Sequence, residues 1–391
     1  MRKFWPFTFY FLYFASLACA MPFFVLFYQR LGFSGAQIGL LTGVPPLITL
    51  LASPFWTGLA DAKRWHKFVM GLGIIAVVLV IFFLPSLRNF LPVFVAIILF
   101  NTFISPVPSL ADSATITMLG EERAMYGRIR LGGTIGWGLF APIAGALVQN
   151  YGLRTAFWTF CAIMLTNLFV SQKFTHGSPE GVEAKHGGIR VLLTNRRWLH
   201  FLFLAFLGGL GSFSAAFYLF PYMAELGANE SIMGFALTIT TLTELPIFFL
   251  GHRLMKRLGS YGLLLLALVL IGIRALLYAA ASTPLMVLFV QFLGGTMFPA
   301  MWVAGVTYAD ENAPAGLKST AQGLFGATTF GVGAAVSGFI AGPLLESIGG
   351  RGMFLVFGVI ILVGLGVAEM FRRLFPEKND LPQAAPLTSD K

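Results

Sequence analysis

The chain has 391 residues, of which 57% are hydrophobic and only 11% charged, with a formal net charge of +10. A soluble domain carries roughly 25% charged residues, so this composition excludes a water-soluble globular protein. It also excludes a β-barrel, whose strands alternate polar and apolar residues, because apolar stretches near 20 residues recur along the whole length, each able to cross about 30 Å of hydrocarbon. The basic surplus sits in short loops between these stretches, as the positive-inside bias produces, and gives no reason to expect a nucleic-acid partner.

Taken in order, the first apolar run follows Arg2-Lys3. Ala18-Cys19-Ala20 imitates a secretory cleavage site, but the run continues past Met21-Pro22 to Tyr28. That is too long for a signal segment, so an uncleaved first span is expected. Twelve helical spans follow from the apolar runs and their breakers, at about 5–28, 37–60, 68–87, 91–116, 128–149, 154–173, 199–222, 231–251, 261–281, 284–308, 319–345 and 352–374. Cys19 and Cys161 both lie inside spans with no metal-ligand spacing and read as packing residues.

One long polar interruption, Gly177 to Arg197, divides the spans six and six. The expected organisation is a first bundle over 1–173, a loop over 174–197, a second bundle over 198–375, and a polar, Pro-rich tail over 376–391 expected to be disordered. Lys63, Arg64, Lys67, Arg123, Arg253, Lys256, Arg257, Lys318, Arg372 and Arg373 fall on one side with the termini and the central loop. The other side carries only Arg30, Arg88, Arg154 and Arg351. Both termini are therefore expected in the cytoplasm, with the chain in the inner (plasma) membrane.

The halves echo one another. Ile143-Ala144-Gly145-Ala146-Leu147 returns as Ile340-Ala341-Gly342-Pro343-Leu344 at an offset of 197, and Pro54-Phe55-Trp56 as Pro246-Ile247-Phe248 at an offset of 192. Spans two and five thus match spans eight and eleven, which predicts two pseudo-symmetric six-helix bundles with a site at their interface. Glycines crowd spans five and eleven, where small residues let helices approach and slide.

Charges inside spans cost several kcal/mol unless paired or wetted, so they are the candidate functional residues. Asp112 lies in span four and Arg130 in span five, inside Tyr126-Gly127-Arg128-Ile129-Arg130, with Trp137 seven residues on; Arg128 is nearer the turn Glu121–Arg123. Glu244 is mid-span in the eighth and Arg274 mid-span in the ninth. The expectation is one charge-balanced wet chamber holding Asp112, Arg130, Glu244 and Arg274, with Trp137 available to stack on a ring. Carboxylates accept from hydroxyls and guanidinium forks fix oxygens, which suits a polyhydroxylated or zwitterionic solute at least as well as an anion. Asp112 and Glu244 are the candidate proton carriers. The histidines lie in loops or at span ends, and no aspartate-rich metal motif, hydrolase triad or phosphate-cradling glycine loop is present, so no enzyme is indicated.

These residues resemble those of the major facilitator superfamily, in the branch holding lactose permease, nucleoside–proton symporters and phenylpropionate permeases. Lactose permeases carry an acid, then eighteen residues later the second arginine of a Gly-Arg-x-Arg run, then seven residues later a tryptophan; Asp112, Arg130 and Trp137 stand at that spacing. The resemblance implies sugar binding by those three, with Glu244 and Arg274 matching the eighth-span glutamate and ninth-span arginine. Asp61, Lys63 and Arg64 are similar to the superfamily's gating turn after the second span, and Arg253 follows the eighth span at the matching place. Thr320-Ala321-Gln322-Gly323-Leu324 is closer to the phenylpropionate branch. The tenth-span His and Glu that handle the proton in lactose permease would fall near Gly294 and Met297 and are absent, although Gln291-Phe292-Leu293 is retained. The turn also has Thr57 for its leading glycine and Ala62 for its usual arginine.

The expected function is a monomeric, cofactor-free proton symporter of a small polar organic solute, driven by the proton gradient. A sugar or glycoside ranks first, then an aromatic carboxylate or nucleoside. An uncoupled facilitator, a membrane-embedded enzyme and a sensor are the remaining alternatives.

Overall fold

The computed structural model describes residues 3–176, 188–314 and 316–374, and among these every regular element is helical. Hydrocarbon offers the backbone no hydrogen-bond partner, and a helix satisfies its own N–H and C=O groups within one segment. The first half comprises α1 (Phe4–Arg30), α2 (Gly35–Lys63), α3 (His66–Phe83), α4 (Phe90–Ile104, continuing as Pro106–Leu119), α5 (Tyr126–Tyr151) and α6 (Arg154–Ser171). A short helix, Gly188–Thr194, precedes α7 (Arg196–Glu225). α8 and α9 are the two arms of Glu230–Ala280, separated at Gly259, and α10 is Pro284–Asn312. α11 starts at Lys318, passes through a π-helical turn at Ala327–Gly333 and enters Ala334–Leu374, where Gly349 divides it from α12. Gly259 and Gly349 have φ of 68° and 70°, a region that glycine alone enters without a Cβ penalty.

All twelve expected spans are present as helices, with ends displaced by a few residues. The second span was expected to stop near residue 60, yet α2 runs to Lys63, so Asp61 and Lys63 are helical and Arg64 makes the left-handed cap with φ 55°. A helix does not have to end where hydrocarbon ends, because its hydrogen bonds close within the segment on either side of that boundary. Starts are marked by caps: Ser34 and Gln37 form a reciprocal capping box on α2, while Asn229 and Thr283 cap α8 and α10. Residues 177–187 of the expected central loop and the tail 376–391 lie outside the described residues.

The chain is a multi-pass membrane protein: among the described residues eight apolar stretches are long enough to cross a bilayer, and Phe90–Tyr151 and Lys318–Leu374 each hold two spans. Phe4 and Leu374 mark one end of the bundle, called here the terminal face. The other end is the far face.

The halves meet through the pairs that the internal repeat relates, α2 against α11 and α5 against α8. Glycine permits the closeness. A Cβ on Gly338 would lie 2.5 Å from the Gly43 amide nitrogen, and one on Gly234 would lie 2.5 Å from the Ala141 carbonyl oxygen. Hydrogen bonds between the halves, among the described residues, run from the far face to mid-depth. Arg30 pairs with Glu230 at 2.8 Å, and the Gly35 amide donates to Glu346 Oε2 at 2.8 Å. Thr42 and Tyr218 hydroxyls meet at 2.8 Å, and Thr238 Oγ1 donates to the Gly138 carbonyl at 2.9 Å. None joins the halves toward the terminal face. The far face is the shut one.

Candidate functional site

α4 descends from the far face and α5 returns from the terminal face. Arg130 lies four residues after Tyr126, about 6 Å along α5 at 1.5 Å per residue. Asp112, on the last two turns of α4, is level with it. Arg130 Nη1 donates to Asp112 Oδ2 at 2.8 Å and to the Tyr126 hydroxyl at 2.6 Å. The buried Tyr10 of α1 donates to the other carboxylate oxygen, Asp112 Oδ1, at 2.5 Å, and the guanidinium lies 5.8 Å from the Tyr10 ring. Both charges are thus satisfied within the first half, by partners from α1, α4 and α5. Arg128, two residues before Arg130, is exposed.

Two turns beyond Arg130 on the same face of α5, Trp137 reaches mid-depth. It borders two cavities between the halves, of about 640 Å³ and about 250 Å³. Phe14, Leu237, Thr240 and Glu244 border both as well. Arg130 lines the smaller cavity, Arg274 lines the larger, and Asp112 lines neither. The four charges expected around one chamber are therefore spread along an axis. The Asp112–Arg130 pair lies toward the terminal face, Glu244 at the joint between the cavities, and Arg274 on the far-face side.

Glu244 and Arg274 share the larger cavity without pairing. Among the described residues Glu244 makes no ion pair, and Arg274 finds neutral partners instead. Its Nε donates to the Tyr278 hydroxyl at 2.8 Å, and its Nη2 to Gln291 Oε1 at 2.6 Å. Its guanidinium carbon lies 5.1 Å from the Tyr278 ring. A guanidinium has five N–H donors, so three are without a partner among the described residues. The rest of the lining is predominantly apolar and aromatic, with Phe24, Phe100, Phe213, Phe298 and Phe330 among the rings. Such walls keep the local dielectric low and strengthen any charge interaction inside.

Sequence reasoning missed Tyr10, Tyr126, Tyr278, Thr240 and Gln291 as site residues. Two left a signal. Tyr126 precedes Arg130 by four and Tyr278 follows Arg274 by four, the spacing at which side chains meet on a helix. Tyr10, Thr240 and Gln291 arrive from other helices, which spacing does not locate.

At the terminal face, Asp61 Oδ1 lies 2.7 Å from His66 Nε2, bridging the end of α2 to the start of α3. Lys63, Arg64 and Arg253 are exposed. No group of three His, Cys, Asp or Glu placed to hold a metal occurs among the described residues.

A family profile described as the MFS_1-like family matches residues 6–356. The chain belongs to that family. It is a major facilitator transporter and not an enzyme. Over 366 residues it is 28% identical to the maltose permease of Geobacillus stearothermophilus, covering 91% of each chain. It is 24% identical to a probable 3-phenylpropionic acid transporter of Escherichia coli (strain K12), over 90% of this chain and 93% of that one. The crystal structure of the nucleoside transporter NupG superposes with a TM-score of 0.83 at 17% identity, covering 96% of this transporter and all of that chain. At that identity the likeness shows the fold alone. The cavities described above lie where the two halves of that fold meet.

Proposed function

We propose that this transporter is a proton-coupled importer of small aromatic carboxylates, working by alternating access in the plasma membrane with its termini in the cytoplasm. One observation carries the substrate class. Among the described residues Arg274 stands in an aromatic cavity without an ion pair, Glu244 bordering the same cavity, whereas Arg130 is paired directly with Asp112. A carboxylate on an apolar ring complements such a site: the ring takes the phenyl walls and the anion takes the three N–H donors that Tyr278 and Gln291 leave. Similarity to the probable 3-phenylpropionic acid transporter is consistent with this reading. The shut far face corresponds to the inward-open state. Glu244, unpaired at the joint between the cavities, is the acid best placed to carry the proton, and the transporter needs no cofactor and no second copy for this cycle.

A sugar or glycoside, first in the ranking from sequence, becomes the second reading. It is favoured by Trp137, Thr240 and Glu244 around the smaller cavity and by similarity to the maltose permease. Proteoliposomes with an acid exterior decide between the two. Labelled 3-phenylpropionate is expected to accumulate and maltose to remain at background. Accumulation of maltose alone would overturn the carboxylate reading.

A further inference from the structure

Gln291 of α10 is fully buried, and its single side-chain oxygen collects three donors from two other helices. Thr240 Oγ1 of α8 lies at 3.0 Å, Arg274 Nη2 of α9 at 2.6 Å and the Tyr278 hydroxyl of α9 at 2.9 Å. Its Nε2 has no partner among the described residues. A glutamine kept only to tie helices together would satisfy both ends of its amide, since buried polar groups are nearly always paired. Here the oxygen alone is used, and its strongest neighbour is the charged one.

The identity of that oxygen matters. Glutamate would fill the same volume and reach the same guanidinium, but it would neutralise it. An amide oxygen orients Arg274 and leaves its charge unspent. One turn further along α10, Gly294 makes room: a Cβ there would lie 2.9 Å from the Arg274 guanidinium carbon. α10 thus presents a neutral oxygen and a bare stretch of backbone to the cation, while Tyr278 braces it from its own helix.

We infer that Gln291 is a positioning residue that holds the Arg274 guanidinium in the cavity out of an ion pair and thereby sets the preference for anionic over neutral solutes. The inference rests on the reading of Arg274 as the anion-binding group, so its test separates the two. The full-length protein is compared with Gln291→Glu, Gln291→Leu and Arg274→Ala for binding of 3-phenylpropionate and of its isosteric neutral amide, 3-phenylpropionamide. The readout is the ratio of the two affinities, which a loss of packing alone does not move.

Gln291→Glu is expected to lower the acid-to-amide ratio by about tenfold or more, the scale of one charge-assisted hydrogen bond. Gln291→Leu, near in size and without charge, is expected to lower it about fivefold as the guanidinium loses its anchor. If the unaltered protein does not prefer the acid, the carboxylate reading falls and this inference with it. If Arg274→Ala collapses the ratio while both Gln291 variants keep it, the inference alone is overturned.

Discussion

Gly338 of α11 and Gly43 of α2 pack backbone to backbone across the two halves, and a Cβ on Gly338 would lie 2.5 Å from the Gly43 amide nitrogen. At the α5–α8 seam the Arg30–Glu230 pair is partly exposed and contributes at most about 1 kcal/mol to closure of the far face. Steric exclusion by a branched side chain is the larger effect. Gly338→Val is therefore expected to hold the halves apart at the far face and to cut uptake by about tenfold or more, since overpacking costs about 1–3 kcal/mol. Gly366→Val, at a position with open space around it, serves as the control. A far-face cysteine reporter should react faster with an impermeant maleimide in Gly338→Val than in the control. Equal rates with normal uptake would show that α2 and α11 do not gate this side.

Asp112 and Arg130 form one ion pair but have different access to the cavities, which separates their expected phenotypes. Arg130 lines the smaller cavity and Asp112 lines neither. Arg130→Ala is expected to insert into the membrane normally and to lose uptake. Asp112→Asn keeps an acceptor for Tyr10 and should retain measurable substrate binding, while the unpaired guanidinium lowers thermal stability. Ligand affinity and melting temperature, measured on both variants in detergent, provide the check. Identical losses of affinity would mean that Asp112 touches substrate in another state of the cycle.

His176, after the end of α6, stacks on His66 with ring centroids 5.2 Å apart, and neither of its ring nitrogens has a partner among the described residues. Burial, then the neighbouring His66 and Lys67, push its pKa down from 6.5 to about 4. With the folded value below the unfolded one, the unfolded chain takes up the proton first. Stability should therefore fall as pH drops from about 6.5 to about 4 and level off below. His176→Phe keeps a ring against His66 and removes the proton uptake. Its melting temperature is expected to depend less steeply on pH across that window. A slope unchanged from that of the parent would show that His176 is protonated in the folded protein too.

Much of this architecture could be read from the sequence, and what could not has a common cause. The nearly equal offsets of Ile143–Leu147 and Pro54–Trp56 from their echoes pointed to α2, α5, α8 and α11, the helices that form the interface. Asp112 and Arg130 were legible as a pair because one hairpin carries both. Their depth was not, because α4 continues to Leu119 and the polar stretch Gly120–Met125 is itself helical, which places the pair toward the terminal face. Of the four charges expected around one chamber, Glu244 and Arg274 share the larger cavity. Arg274 is held by Gln291, retained from the family pattern but without an assigned role. Only the approach of α10 to α8 and α9 reveals it.

Glu244 lies between a smaller cavity reaching Arg130 and a larger one reaching Arg274, and it forms no ion pair with either. A carboxyl that cycles between charged and neutral needs such a place: near enough to a cation to ionise, and free enough to take a proton when substrate claims that cation. Glu244→Gln imitates the protonated form permanently. It is expected to exchange labelled for unlabelled substrate across the membrane at a rate within a few-fold of the parent, because loading and rocking remain possible. Uphill accumulation driven by an acid exterior should be lost, together with the alkalinisation of a weakly buffered medium on adding substrate. Retention of uphill uptake in Glu244→Gln would move the proton to another acid and leave Glu244 a ligand only.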